Sequence, residues 1–198
     1  MLHFAGSSLQ QGEFIRLEMN EKETNTNTLS RDCIKTMLEY QDLEQKVRRP
    51  ILKVCTPFCS ACSDCCCKKD FCSESLDSYW LRMTWNLQGY TVSQYDDSKG
   101  WLLSEGCRLD TGRPPVCYEY LCNGIRGKIQ EDCYLDNLKA ISALPAFAGK
   151  NALGNKHLVT LSSEQILTRM NFIKLRRQIA KSHNLFQRYE TEMRPFLL

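Results

Sequence analysis

The chain has 198 residues, a formal net charge of +3, and 42% hydrophobic against 25% charged residues, which is enough apolar content for a folded core. No apolar run approaches the roughly 18 residues that a membrane-spanning helix requires, so no membrane partner is expected. Twelve cysteines are far more than ordinary usage. Most lie in two dense groups, Cys55 to Cys72 and Cys107 to Cys122, and they pose the main question: disulfides, metal or reactive thiols.

Residues 1–20 have no basic start, no sustained apolar run and no small-residue cleavage site, so they do not read as a secretory signal. A reducing, cytoplasmic setting is therefore expected, where paired cysteines serve as metal ligands or in catalysis. Residues 1–28 read as a polar, disordered leader, with 20–30 rich in Glu, Thr and Asn. A helix is predicted over 29–47. Ser30 can cap it, Asp32 suits its first turn, and Ile34, Met37, Leu38 and Val47 give a partial apolar stripe. Pro50 is expected to stop it. Cys33 falls inside this helix and reads as a small buried apolar residue.

Residues 29–137 are read as this helix plus a Cys-rich metal-binding core. Between the two Cys groups, the alternation of Leu81, Met83, Trp85 and Leu87 predicts a strand, Gly89 a turn, and Trp101 to Leu103 a second short strand. A helix fits residues 76–80 nearly as well. Residues 138–198 are read as a basic helical region packed on the core. Leu138, Ile141, Ala143 and Leu144 predict a short helix that Pro145 bends or ends. A loop is expected over 149–155. Ser162 and Gln165 give a capping-box signature for one long helix over about 163–189.

Charge is uneven. Residues 138–198 carry ten bases and three acids, and residues 73–137 carry six bases and ten acids. Much of the basic excess falls on the last predicted helix, at Arg169, Lys174, Arg176, Arg177, Lys181 and Arg188. Such a helix can bind phosphates. No nucleic-acid module surrounds it, so a solvated face over an apolar side is preferred and nucleic acid is not the favoured partner.

The first Cys group reads Cys55-Thr-Pro-Phe-Cys59-Ser-Ala-Cys62-Ser-Asp-Cys65-Cys66-Cys67, then Cys72. Adjacent thiols suit one metal site better than separate bridges. Thiolates favour zinc, Fe–S clusters or Cu(I) over hard cations, and four complete a tetrahedral zinc site or one cluster. Cys55, Cys59 and Cys62 have the C-x3-C-x2-C spacing of radical-SAM enzymes. The chain after Cys62 lacks the βα alternation of their barrel, and Ala61 replaces the usual aromatic. Cys59, Cys62 and Cys65 match the start of a ferredoxin run, but Lys69 stands where its fourth cysteine belongs. The third pattern is C-x2-C-x2-C-C, from Cys59, Cys62, Cys65 and Cys66.

The second group holds Cys107, then Arg113-Pro114-Pro115-Val116-Cys117, a C-x5-R-P-x2-C segment. The two segments together resemble the zinc/iron-chelating cysteine-cluster (YkgJ-type) family over about Cys55 to Cys122. The resemblance implies a small domain that chelates zinc or iron. Some relatives are called Fe–S oxidoreductases, and the domain also occurs in flagellin lysine methylases. The chain departs from the family pattern in two places. Residues 99–103 lack a cysteine, and Leu121 stands where a proline is usual. Cys72 or Cys122 is then the candidate for a displaced ligand.

The expected ligands are Cys59, Cys62, Cys65, Cys66, Cys107 and Cys117, with Cys55, Cys72 and Cys122 next and Cys67 and Cys133 marginal. Pro114 shapes the turn that delivers Cys117. Arg113 is expected behind the ligands, hydrogen-bonding loop carbonyls or offsetting thiolate charge. Tyr118 and Tyr120 are expected to shield the metal. No catalytic residue is assigned. The expected fold is α-rich, a small α+β domain with an irregular metal-stapled core, a short hairpin, and flanking N- and C-terminal helices. The expected function is chelation of zinc or an iron or Fe–S centre. An Fe–S redox protein or methyl-transfer accessory is one alternative. A zinc-stabilised module that binds nucleic acid or a protein partner through the basic C-terminal helix is the other.

Overall fold

The computed structural model describes residues 29–59, 69–103 and 106–193, apart from the side chains of Cys59, Lys69 and Ile166. The predicted leader, and with it the expected disorder of 1–28, lies outside the described residues. What is described is α-rich, and its one sheet is a two-stranded hairpin.

Helix α1 spans Arg31–Cys59. Ser30 caps it as predicted, its hydroxyl accepting the Cys33 N–H at 3.2 Å. Cys33, Met37, Tyr40, Leu43, Val47 and Ile51 recur at helical spacing and are all buried. The helix does not stop at Pro50, which lies inside it. An interior proline costs about 3 kcal/mol and one ladder bond. Val47 and Ile51, on either side, are 0% and 7% exposed. Burying each contributes roughly 1.5–3 kcal/mol, so the apolar face outweighs the break.

Helices α2 (Lys69–Asp77) and α3 (Tyr79–Asn86) follow. The strand expected over 81–87 is instead α3. Ser78 caps it, accepting the Leu81 N–H at 3.3 Å. Trp80, Leu81, Met83, Thr84 and Trp85 are all buried. A strand would have put Trp80 and Thr84 on the opposite face from Leu81 and Trp85, whereas a helix buries all five. Gly89, at φ +82°, turns the chain as expected. The hairpin pairs β1 (Leu102–Leu103) with β2 (Gly106–Cys107), placing Leu102 opposite Cys107. It is therefore local to the second Cys group.

The three tryptophans form the core beneath. Trp85 and Tyr95 lie 5.2 and 5.4 Å from the Trp101 ring centroid, and Tyr40 lies 5.7 Å from Trp80. The Trp101 indole N–H donates to Ser75 Oγ at 2.7 Å, and that hydroxyl donates to the Cys72 carbonyl at 2.6 Å.

Short helices α4 (Val116–Glu119) and α5 (Asn123–Arg126) lead into α6 (Asp132–Ser142) and α7 (Leu144–Ala152). Pro145 sits in the first turn of α7, so it separates the two helices as expected. The loop predicted from Gly149 begins later, because α7 runs to Ala152. Gly149 serves packing: a Cβ there would meet Leu158 Cγ at 3.0 Å. The turn falls instead at Gly154 and Asn155, both with positive φ.

The single C-terminal helix predicted over 163–189 is two helices, α8 (Glu164–Thr168) and α9 (Phe172–Met193). Asn171 restarts it, its side-chain oxygen accepting the Lys174 N–H at 2.9 Å. Leu175, Ile179, Ser182, Phe186 and Met193 of α9 are buried, and α9 packs on α7, α1 and α6. Helix α1 also touches α3, α4 and α5.

Replacing Pro50 by Ala restores a backbone donor in a continuous helix and is expected to stabilise the fold by about 1–3 kcal/mol in chemical denaturation. A loss of stability would place the end of α1 at Pro50.

Candidate metal centre

The loop from Cys107 to Cys117 is built around two buried charged groups. Cys107 ends the hairpin, and the Arg108 N–H donates to the Trp101 carbonyl at 2.8 Å. Leu109 and Thr111 are buried. The Gln88 amide donates to the Thr111 hydroxyl, and Asp110 pairs with Arg48 of α1. Gly112 adopts φ +71°, and a Cβ there would lie 3.0 Å from the Leu81 carbonyl and the Trp85 ring. Only glycine fits that backbone in that space. Pro114 then shapes the turn, accepting the Cys117 N–H at 2.9 Å and opening α4.

Arg113 is 8% exposed. Its Nε donates to the Leu109 carbonyl at 2.6 Å, and Nη2 donates to the same oxygen and to the Cys107 carbonyl at 3.4 Å. The guanidinium thus bonds carbonyls of the cysteine loop, as the sequence reading had it. Burial works against its charge. Cys107, Tyr118, Cys117 and Glu44 together more than offset that, and its pKa rises. Cys107 and Cys117 therefore both lie within electrostatic reach of one buried cation.

Glu44 is the residue the sequence reading missed. It is 0% exposed, in the middle of α1. Its carboxylate accepts the Gly112 N–H at 2.8 Å and the Tyr118 hydroxyl at 3.0 Å. The available signal was an acid between Leu43 and Val47 on the buried face of a helix, where acids need partners. Burial pushes the carboxyl up to about 7, against the donated bonds and the charge of Arg113, which pull it down. Tyr118 is held well above its ordinary value by burial and then by Glu44, so it remains a donor.

The other candidates are spread around this loop. Cys55 lies half-buried near the end of α1, within electrostatic reach of Tyr134 of α6. Cys72 is buried in α2, within reach of Tyr95. Cys122 is half-buried ahead of α5, and Cys133 is exposed on α6. Tyr120, expected to shield the metal, is instead 49% exposed, because α4 ends at Glu119 and turns it outward. Cys33 is a core residue whose thiol burial pushes up to about 11, which suits an inert role. The Cys59 side chain and Cys62, Cys65, Cys66 and Cys67 lie outside the described residues. Among the described residues, no three His, Cys, Asp or Glu side chains gather as a metal site. No family model, curated protein or solved structure matches the chain.

The basic C-terminal charge is partly engaged within the chain. Arg176 donates to both oxygens of Glu39 at 3.1 and 3.0 Å, Lys181 lies 5.6 Å from the Phe147 ring centroid, and Arg188 meets Glu192 at 3.0 Å. No described helix is long and apolar enough to cross a membrane.

A carboxyl with a raised folded pKa binds its proton more tightly in the native state. Its contribution is full below the unfolded value of 4.5 and is lost as pH rises towards 7. The stability difference between wild type and Glu44→Gln is expected to shift by about 3 kcal/mol against the wild type over that window. Urea titrations at stepped pH read this directly. A pH-independent difference would mean that Glu44 is not held in a raised state.

Proposed function

We propose that the chain is a metal-binding cysteine-cluster protein, holding zinc or an iron centre through thiolates of both Cys groups. One observation carries the reading. A buried guanidinium bonds the carbonyls of Leu109 and Cys107 and lies within electrostatic reach of both Cys107 and Cys117. Thiolate ligands bring more negative charge than a divalent ion cancels, and a fixed cation beside them offsets the excess. A buried arginine is costly to keep unless negative charge faces it; Glu44 supplies part of that charge, and thiolates at Cys107 and Cys117 would supply more.

The donor chemistry fits zinc or iron. Cys107 and Cys117 would hold the ion from the second group, and Cys59, Cys62, Cys65 and Cys66 are the proposed ligands from the first. Cys55, Cys72 and Cys122 are the reserve set. When bound, the metal would supply either a structural cross-link between the groups or, as an Fe–S centre, a redox function. Arg113 would orient the loop and hold its charge.

Arg113→Met is expected to lower metal affinity by about 10- to 100-fold, the usual effect of losing an outer partner of a ligand. Cys107→Ser or Cys117→Ser should remove bound metal outright. Zinc competition with a chromophoric chelator measures all three. Unchanged affinity in the two cysteine variants would overturn the proposed ligand set. Removal of a structural metal by a strong chelator should also unfold the middle of the chain, since site formation and folding are coupled. A chelated protein that keeps its full circular dichroism would argue against a structural metal.

A further inference from the structure

Helix α1 and the first half of α9 lie side by side, with Glu39 meeting Arg176 and Asp42 meeting His183. Between their outer faces runs an open groove of about 1390 Å³. Arg31, Ile34, Lys35 and Leu38 of α1 and Ile173, Arg177 and Ala180 of α9 line it, each set at the three- and four-residue spacing of one helix face. Leu38 and Ile173 are 51% and 74% exposed. The core does not use these side chains, because α1 packs inward through Met37, Tyr40 and Val47 and α9 through Leu175 and Ser182. Four bases and two acids line the groove. Both acids are engaged within the chain: Glu39 accepts from Arg176, and Asp42 meets Lys46 at 2.7 Å and His183 at 3.5 Å. Arg31, Lys35 and Arg177 have no ion-pair partner among the described residues. The groove therefore joins exposed apolar side chains to uncompensated positive charge.

We propose that the groove docks an acidic amphipathic helix of another protein, about three turns long. Its apolar stripe lies against Leu38 and Ile173, and carboxylates on its flanks meet Arg31, Lys35 and Arg177. The inference is independent of the metal. Length sets the first condition: α1 rises about 16 Å from Arg31 to Asp42, and α9 about 15 Å from Ile173 to His183, which three helical turns match. Shape sets the second. Two helices side by side leave a trough that takes a third helix through its apolar stripe. A flat lipid surface does not follow a trough, and a nucleic-acid backbone would lay phosphates over Leu38 and Ile173. Charge sets the third. The groove has excess bases and no unengaged acid, so acidic flanks gain ion pairs and basic flanks meet repulsion. A second copy docking groove to groove would set these cations against their own counterparts.

A displayed library of helical peptides of about four turns tests the proposal. Leucines are fixed along one stripe, each flanking position is Glu, Gln or Lys, and selection is on the full-length protein. Selected peptides should carry Glu in preference to Lys on their flanks. The strongest binder, fluorescently labelled and titrated by anisotropy, should lose about ten-fold or more in affinity on Lys35→Glu/Arg177→Glu and again on Ile173→Asp. Lys128→Glu, at an exposed cation outside the groove, should leave binding unchanged. All these positions are exposed, so circular dichroism should not change. A library that yields no binder overturns the proposal, as do binders without a preference for Glu or indifferent to the groove variants. A wild-type dimer in sedimentation that Ile173→Asp dissolves would assign the groove to a second copy and overturn it. Binding to phosphatidylserine vesicles that Ile173→Asp abolishes would assign it to a membrane surface and overturn it as well.

Discussion

The Glu44 carboxylate reaches from the middle of α1 into the loop between Cys107 and Cys117 and accepts one backbone and one side-chain hydrogen bond there. A buried carboxylate costs several kcal/mol of lost hydration, so its neighbours must supply the compensation. Gly112, Tyr118 and Arg113 supply part of it, each pulling the carboxyl back against burial. Gly112 turns at positive φ against Trp85, Tyr118 is buried with its hydroxyl on Glu44, and Arg113 tucks under its own loop. Removing the carboxylate would leave a buried N–H and a buried O–H without acceptors, each worth roughly 1–3 kcal/mol. The shape of the second cysteine loop depends on this one acid.

The same acid ties the loop to the helix that leads into the first cysteine group. Helix α1 continues through Pro50, so Cys55 and the backbone of Cys59 sit on the last turns of a helix whose middle is fixed to the 107–118 loop. Hydrophobic burial on α1 and the polar anchor at Glu44 thus place Cys55 and the second cysteine loop on one connected frame. Arg113 would supply positive charge where thiolates of a bound metal would add negative charge.

Much of this could be read from residue type and spacing. The α-rich class, the Ser30 cap, the break at Pro145 and the burial of Cys33 follow from local rules. The bond from Arg113 to its loop carbonyls was one of the two roles its place between Cys107 and Cys117 suggested. What could not be read depended on tertiary context. Burial on both sides of Pro50 kept α1 going. Apolar residues at the alternating positions Leu81, Met83, Trp85 and Leu87 imitated a strand, where a helix buries Trp80 and Thr84 as well. Gly149 looked like a turn and is a close contact with Leu158. Asn171 looked like one more polar residue in a long helix and is the cap of a new one. Glu44 was hidden because its partners lie 68 and 74 residues away.

The most direct test is the metal content and visible absorption of full-length protein purified without oxygen. The account predicts at least one zinc or iron per chain, held at neutral pH. A colourless zinc protein would indicate a closed structural site, and a brown protein with acid-labile sulfide an Fe–S centre. A metal-free protein with no visible absorption, all of whose cysteines react with a thiol reagent once it is unfolded, would contradict it.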